Sequence, residues 1–146
     1  MDDVPEIITQ WHQSEGGSPP NAVEIVDDEI YLRSIHRSDT RDNSNKVYTN
    51  YPLGKVERGK WQKYVFHFIH SPYDDGLIEI WHNNKILHVI KGPNMRRDFD
   101  FPYFKFGIYK WRWDNGGKTA TNIRVLYFDD VRIGDSNSSL EDMGSN

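Results

Sequence analysis

The sequence predicts an all-β protein, an antiparallel β-sandwich or jelly roll, and three observations carry that prediction. Short runs with period-two alternation recur along the chain, and no stretch sustains the 3.6-residue period of an amphipathic helix. The aromatic content is 14%, with five Trp, eight Tyr and seven Phe, residue types that suit a pleated, half-buried surface. Scattered Gly, Pro, Asn and Asp supply turns at the spacing of many short antiparallel strands. A chain of 146 residues fits one domain with a single core. That domain is expected over residues 1–134, followed by a polar tail over 135–146 with no reason to be ordered.

The elements follow in order. Residues 6–12 alternate, with Ile7, Thr9 and Trp11 on one face and Glu6, Ile8, Gln10 and His12 on the other. Residues 13–21, rich in Ser, Gly and Pro, form a loop, and strands are expected over 22–26 and 30–36. Residues 37–45 contain no apolar side chain and read as a second loop. A long strand is expected over 61–70, with Tyr64, Phe66 and Phe68 on one side and Val65, His67 and Ile69 on the other, covered on two faces. Two β-rich runs flank Asn83-Asn84, and Asn tolerates the positive φ of a two-residue hairpin turn. In Tyr103-Phe104-Lys105-Phe106-Gly107-Ile108-Tyr109, Phe104, Phe106 and Ile108 point to the core. Tyr103, Lys105, Gly107 and Tyr109 point away from it, a row of proton-transfer groups with a glycine that leaves the backbone open. Residues 111–121 contain Asn115-Gly116-Gly117 and must turn, and last strands are expected over 123–128 and 131–133.

Charge narrows the function classes. The net charge of −4 argues weakly against a nucleic-acid or polyanion binder, yet it averages two opposed regions. Residues 1–31 hold eight Asp or Glu and no Lys or Arg, whereas residues 91–124 hold eight Lys or Arg against three Asp. A basic patch on an acidic protein steers an anionic ligand, and the competing reading is mutual neutralisation within the fold. No window approaches the roughly 18 apolar residues of a membrane helix. Met1-Asp2-Asp3 opens an acidic segment without the basic and apolar regions of a signal peptide. With no cysteine, disulfides and thiolate metal sites are excluded.

Gln10-Trp11-His12, followed by the 103–109 run and then by Tyr127-Phe128-Asp129-Asp130-Val131-Arg132-Ile133-Gly134, resembles the polysaccharide lyases with a concanavalin A-like jelly roll. Those include the heparin lyase I type, the glucuronan lyases and, more distantly, the alginate lyases with Gln-Ile-His and Tyr-Phe-Lys-Ala-Gly-x-Tyr. Gly59-Lys60-Trp61 and the hairpin residues from Gly76 to Asn84 resemble the segments between those motifs. Order and spacing agree over about residues 5–134.

The resemblance implies β-elimination on a polysaccharide of uronic acids. That chemistry neutralises the C5 carboxylate, removes the C5 proton and protonates the leaving glycosidic oxygen. Tyr109 matches the family's catalytic tyrosine, as acid and also as base, and His12 matches the histidine that acts as base or neutraliser. Gln10, on the face of His12, could hydrogen-bond the carboxylate. Lys105, on the face of Tyr109, would supply positive charge, and a cation beside a tyrosine favours the phenolate. Tyr103, Arg97, Trp111 and Arg112 are the expected substrate-binding residues. The resemblance also implies a secreted or periplasmic protein acting on an anionic polysaccharide, with no nucleic acid and no membrane as partner.

Each assignment has a structural competitor. A tyrosine at a strand end is more often packed than catalytic, and most lysines are solvated. The other histidines, His36, His67, His70, His82 and His88, lack ligand spacing and read as structural, so no metal site is expected. Asp74-Asp75-Gly76 and Asp129-Asp130 offer oxygen ligands to Ca2+, although Asp-Gly is first a turn signal. Complete lyases of this type carry an Arg-Ser-Glu-Leu-like strand before Gln-x-His, and nothing like it precedes Gln10 here. The chain is therefore expected to be a fragment, a reduced domain, or a sandwich that a partner segment or oligomer completes. The alternative function is a non-catalytic carbohydrate-binding concanavalin-like module, and a purely structural β-domain is a third reading.

Overall fold

The structure, a computed structural model, describes residues 4–14, 17–37, 46–97 and 100–144. Among the described residues are eight strands and one helical turn: β1 (Glu6–His12), β2 (Asn21–Val26), β3 (Glu29–Arg37), β4 (Lys46–Lys55), β5 (Tyr64–Ile69), β6 (Leu77–His82), β7 (Lys85–Lys91), β8 (Tyr103–Tyr109) and α1 (Trp111–Asp114). They form a five-stranded sheet in the order β4-β3-β2-β1-β8 and a three-stranded sheet in the order β5-β6-β7, with antiparallel pairing throughout. The expected all-β sandwich is what these sequences make.

Two tight hairpins set the register. The β6–β7 turn at Asn83 and Asn84 has φ of 48° and 66°, and the β2–β3 turn at Asp27 and Asp28 has φ of 49° and 65°. Two consecutive positive φ values give the twist that antiparallel strands need, and Asn and Asp tolerate them best after Gly. Arg58 donates to both carboxylate oxygens of Asp28 at 3.0 Å, bracing the second turn.

The two sheets bury one shared core. Trp11, Val23, Ile25, Ile30, Leu32 and Leu53 of the larger sheet face Ile78 and Ile80 of the smaller, with Tyr64, Phe66, Phe68 and Phe104 packed around them. Trp11 is the aromatic hub: its ring centroid lies 4.3 Å from Phe68, 5.1 Å from Phe66 and 5.5 Å from Phe104.

Several elements depart from the sequence reading. β4 was not expected, because Asn50, Pro52 and Gly54 interrupt its pattern; at the sheet edge a proline needs no ladder partner for its missing N–H. β5 is shorter than residues 61–70, and only its Tyr64, Phe66 and Phe68 side is covered, with His67 and Ile69 exposed. Phe104 packs on the core as expected, whereas Phe106 and Ile108 are 52% and 38% exposed because β8 is the sheet's last strand.

Residues 111–121, expected to turn, open with α1, and residues 123–128 and 131–133, expected as strands, join no ladder among the described residues. A strand needs a neighbour's backbone to pair with. Here this segment is held by side chains, with Arg124 on Glu6 at 2.9 Å and Phe128 edge-on to Phe106 at 5.4 Å. Residues 135–144 are drawn into turns by Asp135, which accepts from Ser138, and Asp142, which accepts from Ser139. The loop expected over residues 37–45 lies, from residue 38 on, outside the described residues.

Candidate functional site

The β1–β8 pair builds the site. Gln10 stands opposite Lys105, Trp11 opposite Phe104 and His12 opposite Tyr103. Trp11 and Phe104 turn into the core, so Gln10, His12, Tyr103 and Lys105 share the other face of the sheet.

Tyr109 shares the face of Lys105 by the alternation of β8, and β1 comes into register with it through an irregularity. Between Ile7 and Thr9 the register slips against both neighbours, so that these two positions oppose Tyr109 and Phe106 on β8 and Glu24 and Val23 on β2. β2 pairs with β3 without a break, so Val23 and Glu24 lie on opposite faces. Ile7 and Thr9 must therefore also lie on opposite faces: β1 carries a bulge at Ile8. The simple alternation over residues 6–12 fails at this one place. Ile7 joins Gln10 and His12, and Tyr109, opposite Ile7, joins them too. Gly107, at φ 141°, lies on β8 within the slip, a conformation that side-chain-bearing residues rarely adopt.

At the slip is a depression of about 130 Å³, lined by Gln10, Lys105, Gly107 and Tyr109 and also by Ile7, Ile8, Thr9, Phe106 and Ile108. His12 lies outside it, one row beyond Gln10 and Lys105. The rows of His12 and Tyr109 lie at His12 and Ile7 of β1, five steps apart or roughly 15 Å along the strand. The amide of Gln10 and the ammonium of Lys105 thus sit between a tyrosine at one end and a histidine at the other. Tyr103 belongs to the histidine end, with ring centroids 5.8 Å apart and Lys105 Nζ 4.8 Å from its ring centre.

Electrostatics at that end are set by burial and cations. The His12 imidazole titrates below its usual range, first because burial disfavours the charged ring and then because Lys105 repels it, with Arg96 adding to the effect. Backbone groups of Gln13 and Gly17 oppose the shift. A histidine held neutral keeps a lone pair available to accept a proton or hydrogen bond.

The other expected residues are more dispersed. Trp111 follows Tyr109 at a ring distance of 6.4 Å, so it borders the tyrosine end. Arg112 is exposed on α1, and Arg97 lies in the loop before β8, its guanidinium 4.8 Å above the exposed Tyr73 ring. His67 pairs with Glu79 at 2.8 Å, His88 bonds the Pro52 carbonyl at 2.7 Å, and His82 and His70 stack on Tyr64 and Phe68. Asp75 accepts from Ser71, and Asp130 pairs with Arg132 at 2.8 Å, so one carboxylate of each acidic pair is engaged close to its own turn. Among the described residues no three His, Asp or Glu side chains group as a metal site would require.

The sequence reading missed the polar anchors. Gln13, next to His12, is fully buried; its amide accepts from the Arg96 N–H at 3.0 Å and donates to the Asp100 carbonyl at 2.9 Å, tying the loop before β8 to the end of β1. On the face of Gln10, two strands away, Arg33 pairs with Glu24 at 2.6 Å. A glutamine beside Gln-x-His carries no local signal of burial, because its partners lie 83 and 87 residues away in sequence.

The family profile described as polysaccharide lyase matches residues 1–132. Among solved structures, the crystal structure of endo-β-1,4-glucuronan lyase from the fungus Trichoderma reesei is similar, with a TM-score of 0.69 and 22% sequence identity. The match covers 82% of this chain and 55% of that one, so the chain spans little more than half the length of the solved enzyme. No curated protein sequence matches.

Proposed function

Because the chain belongs to the polysaccharide lyase family, we propose that its β1–β8 face cleaves a uronic-acid polysaccharide by β-elimination, with glucuronan the first substrate to test. The observation that carries the proposal is the shared depression of Gln10, Lys105 and Tyr109. The Gln10 amide and Lys105 ammonium hold and neutralise the C5 carboxylate, which makes the C5 proton acidic. Tyr109, entering as the phenolate, takes that proton, the bond between C4 and the glycosidic oxygen breaks as the C4–C5 double bond forms, and the resulting phenol gives the proton to the leaving oxygen. His12, neutral and one row away, binds the neighbouring part of the substrate or the far carboxylate oxygen. Tyr103 and Trp111 give apolar ring faces at the two ends. The proposed steps use side chains alone, on an extended polymer that places the protein outside the cytoplasm.

A panel of glucuronan, heparin-type and alginate-type polymers, followed by ultraviolet absorbance of the unsaturated product, tests this reading. Wild type is expected to produce absorbance on one polymer, Tyr109→Phe to abolish it and His12→Ala to reduce it. Binding without absorbance on every polymer would replace the lyase with the second reading, a carbohydrate-binding module. The exposed Tyr103 and half-exposed Trp111 favour that reading as the alternative.

A further inference from the structure

Directly behind the Ile7–Tyr109 pair lies a buried ionic cluster with no part in the proposed chemistry. Glu6 is 1% exposed and the Lys110 side chain is fully buried; Lys110 Nζ lies 3.4 Å from Glu6 Oε2 and donates to the Val4 carbonyl at 2.8 Å. Arg124, from the segment that joins no ladder, donates to the same Glu6 oxygen at 2.9 Å. Glu6 immediately precedes Ile7, and Lys110 immediately follows Tyr109. The pair therefore continues the β1–β8 ladder one step past its last partners.

This location coincides with the weakest point of the register. The bulge at Ile8 and the left-handed Gly107 leave the Ile7–Tyr109 pairing poorly specified by alternation alone, and a slip of one residue would turn Tyr109 to the other face. An apolar contact tolerates such sliding. A lysine bonded to one carbonyl and one carboxylate does not, because each displaced donor is a buried charge without its partner. We infer that the Glu6–Lys110 pair, backed by Arg124, is a positioning device that fixes the register holding Tyr109 beside Gln10 and Lys105. The inference rests on the lyase reading only for its effect on turnover.

The test replaces both buried charges together, in the Glu6→Leu/Lys110→Met double variant, and compares it with Lys110→Arg, which keeps the cation. Thermal melting, the backbone nuclear Overhauser contact between Ile7 and Tyr109 in isotope-labelled protein, and kcat and KM on the polymer cleaved by wild type are measured. Paired removal of buried charges is often neutral for stability, so the double variant is expected to melt near wild type, with Arg124 turned out to solvent. Its Ile7–Tyr109 contact is expected to weaken and kcat to fall about 100-fold at nearly constant KM, the scale of a roughly 1 Å misplacement. Lys110→Arg is expected to retain both the contact and most of kcat. A double variant with the wild-type contact and wild-type kcat would overturn the inference, and so would one that no longer folds, which would assign the pair to stability. If wild type cleaves no polymer, the lyase reading fails by itself, while the Ile7–Tyr109 contact still decides the positioning role.

Discussion

Replacing Gly107 by alanine perturbs the site without touching any of its functional groups. A Cβ built on Gly107 meets no atom within 4 Å, so steric contact contributes nothing and the whole cost is conformational. At φ 141° that cost is about 1–3 kcal/mol for a residue with a side chain. At roughly 4 °C per kcal/mol for a chain of this size, the melting midpoint should fall by about 4–12 °C. The strain is relieved only by rotating φ to negative values, which swings the following peptides and carries Tyr109, two residues on, away from Gln10 and Lys105. Turnover should therefore fall more than stability does, on the order of 100-fold for a shift near 1 Å. Gly59 is the control: its φ is 75°, its Cβ would also meet nothing within 4 Å, and it lies in the β4–β5 connection. Gly59→Ala should lose about 1–2 kcal/mol and leave turnover alone. Differential scanning calorimetry and the ultraviolet product assay read the two effects. A Gly107→Ala protein that melts with wild type and turns over normally, or a Gly59→Ala protein equally impaired in turnover, would refute the reasoning.

Two further outcomes follow from the core and the histidines. Trp11→Ala removes the aromatic hub packed against Phe66, Phe68 and Phe104 and should cost about 3–5 kcal/mol by chemical denaturation, whereas Trp11→Phe should retain most of the stability. Burial lowers the affinity of His12, His36 and His70 for a proton in the fold below that of the unfolded chain, whose histidines titrate near 6.5. Because the unfolded state then binds protons more readily, stability is full above pH 6.5 and declines as pH falls through the window beneath it. Melting midpoints measured across that window should drop, and His70→Asn should flatten the slope; a midpoint that rises on acidification would contradict the sign.

The motifs, the strand alternation and the Asn83-Asn84 hairpin were legible in the sequence because each is local. Side chains two apart share a face, and a two-residue turn needs only its own φ values. That reading sufficed for an all-β sandwich, for Trp11 and Phe104 in the core, and for Gln10, His12, Lys105 and Tyr109 as the residues to examine. It failed where a partner strand decides. β4 looked like no strand because its breaks are harmless only at an edge, and residues 123–133 looked like strands although side chains alone hold them.

The site depended on the same distinction. Alternation placed Gln10 with His12 and Lys105 with Tyr109, but it could not say how the two strands meet. Register is a non-local choice: it slips here at Ile8 and Gly107, and the buried partners behind that slip, Glu6 with Lys110 and Arg124, lie more than a hundred residues apart. The sequence by itself thus determined which chemistry-bearing side chains the sheet presents. Only the tertiary structure decided that they present it together, with Tyr109 sharing a depression with Gln10 and Lys105 and His12 standing one row beyond, because a one-residue slip between strands inverts a face without altering any local pattern.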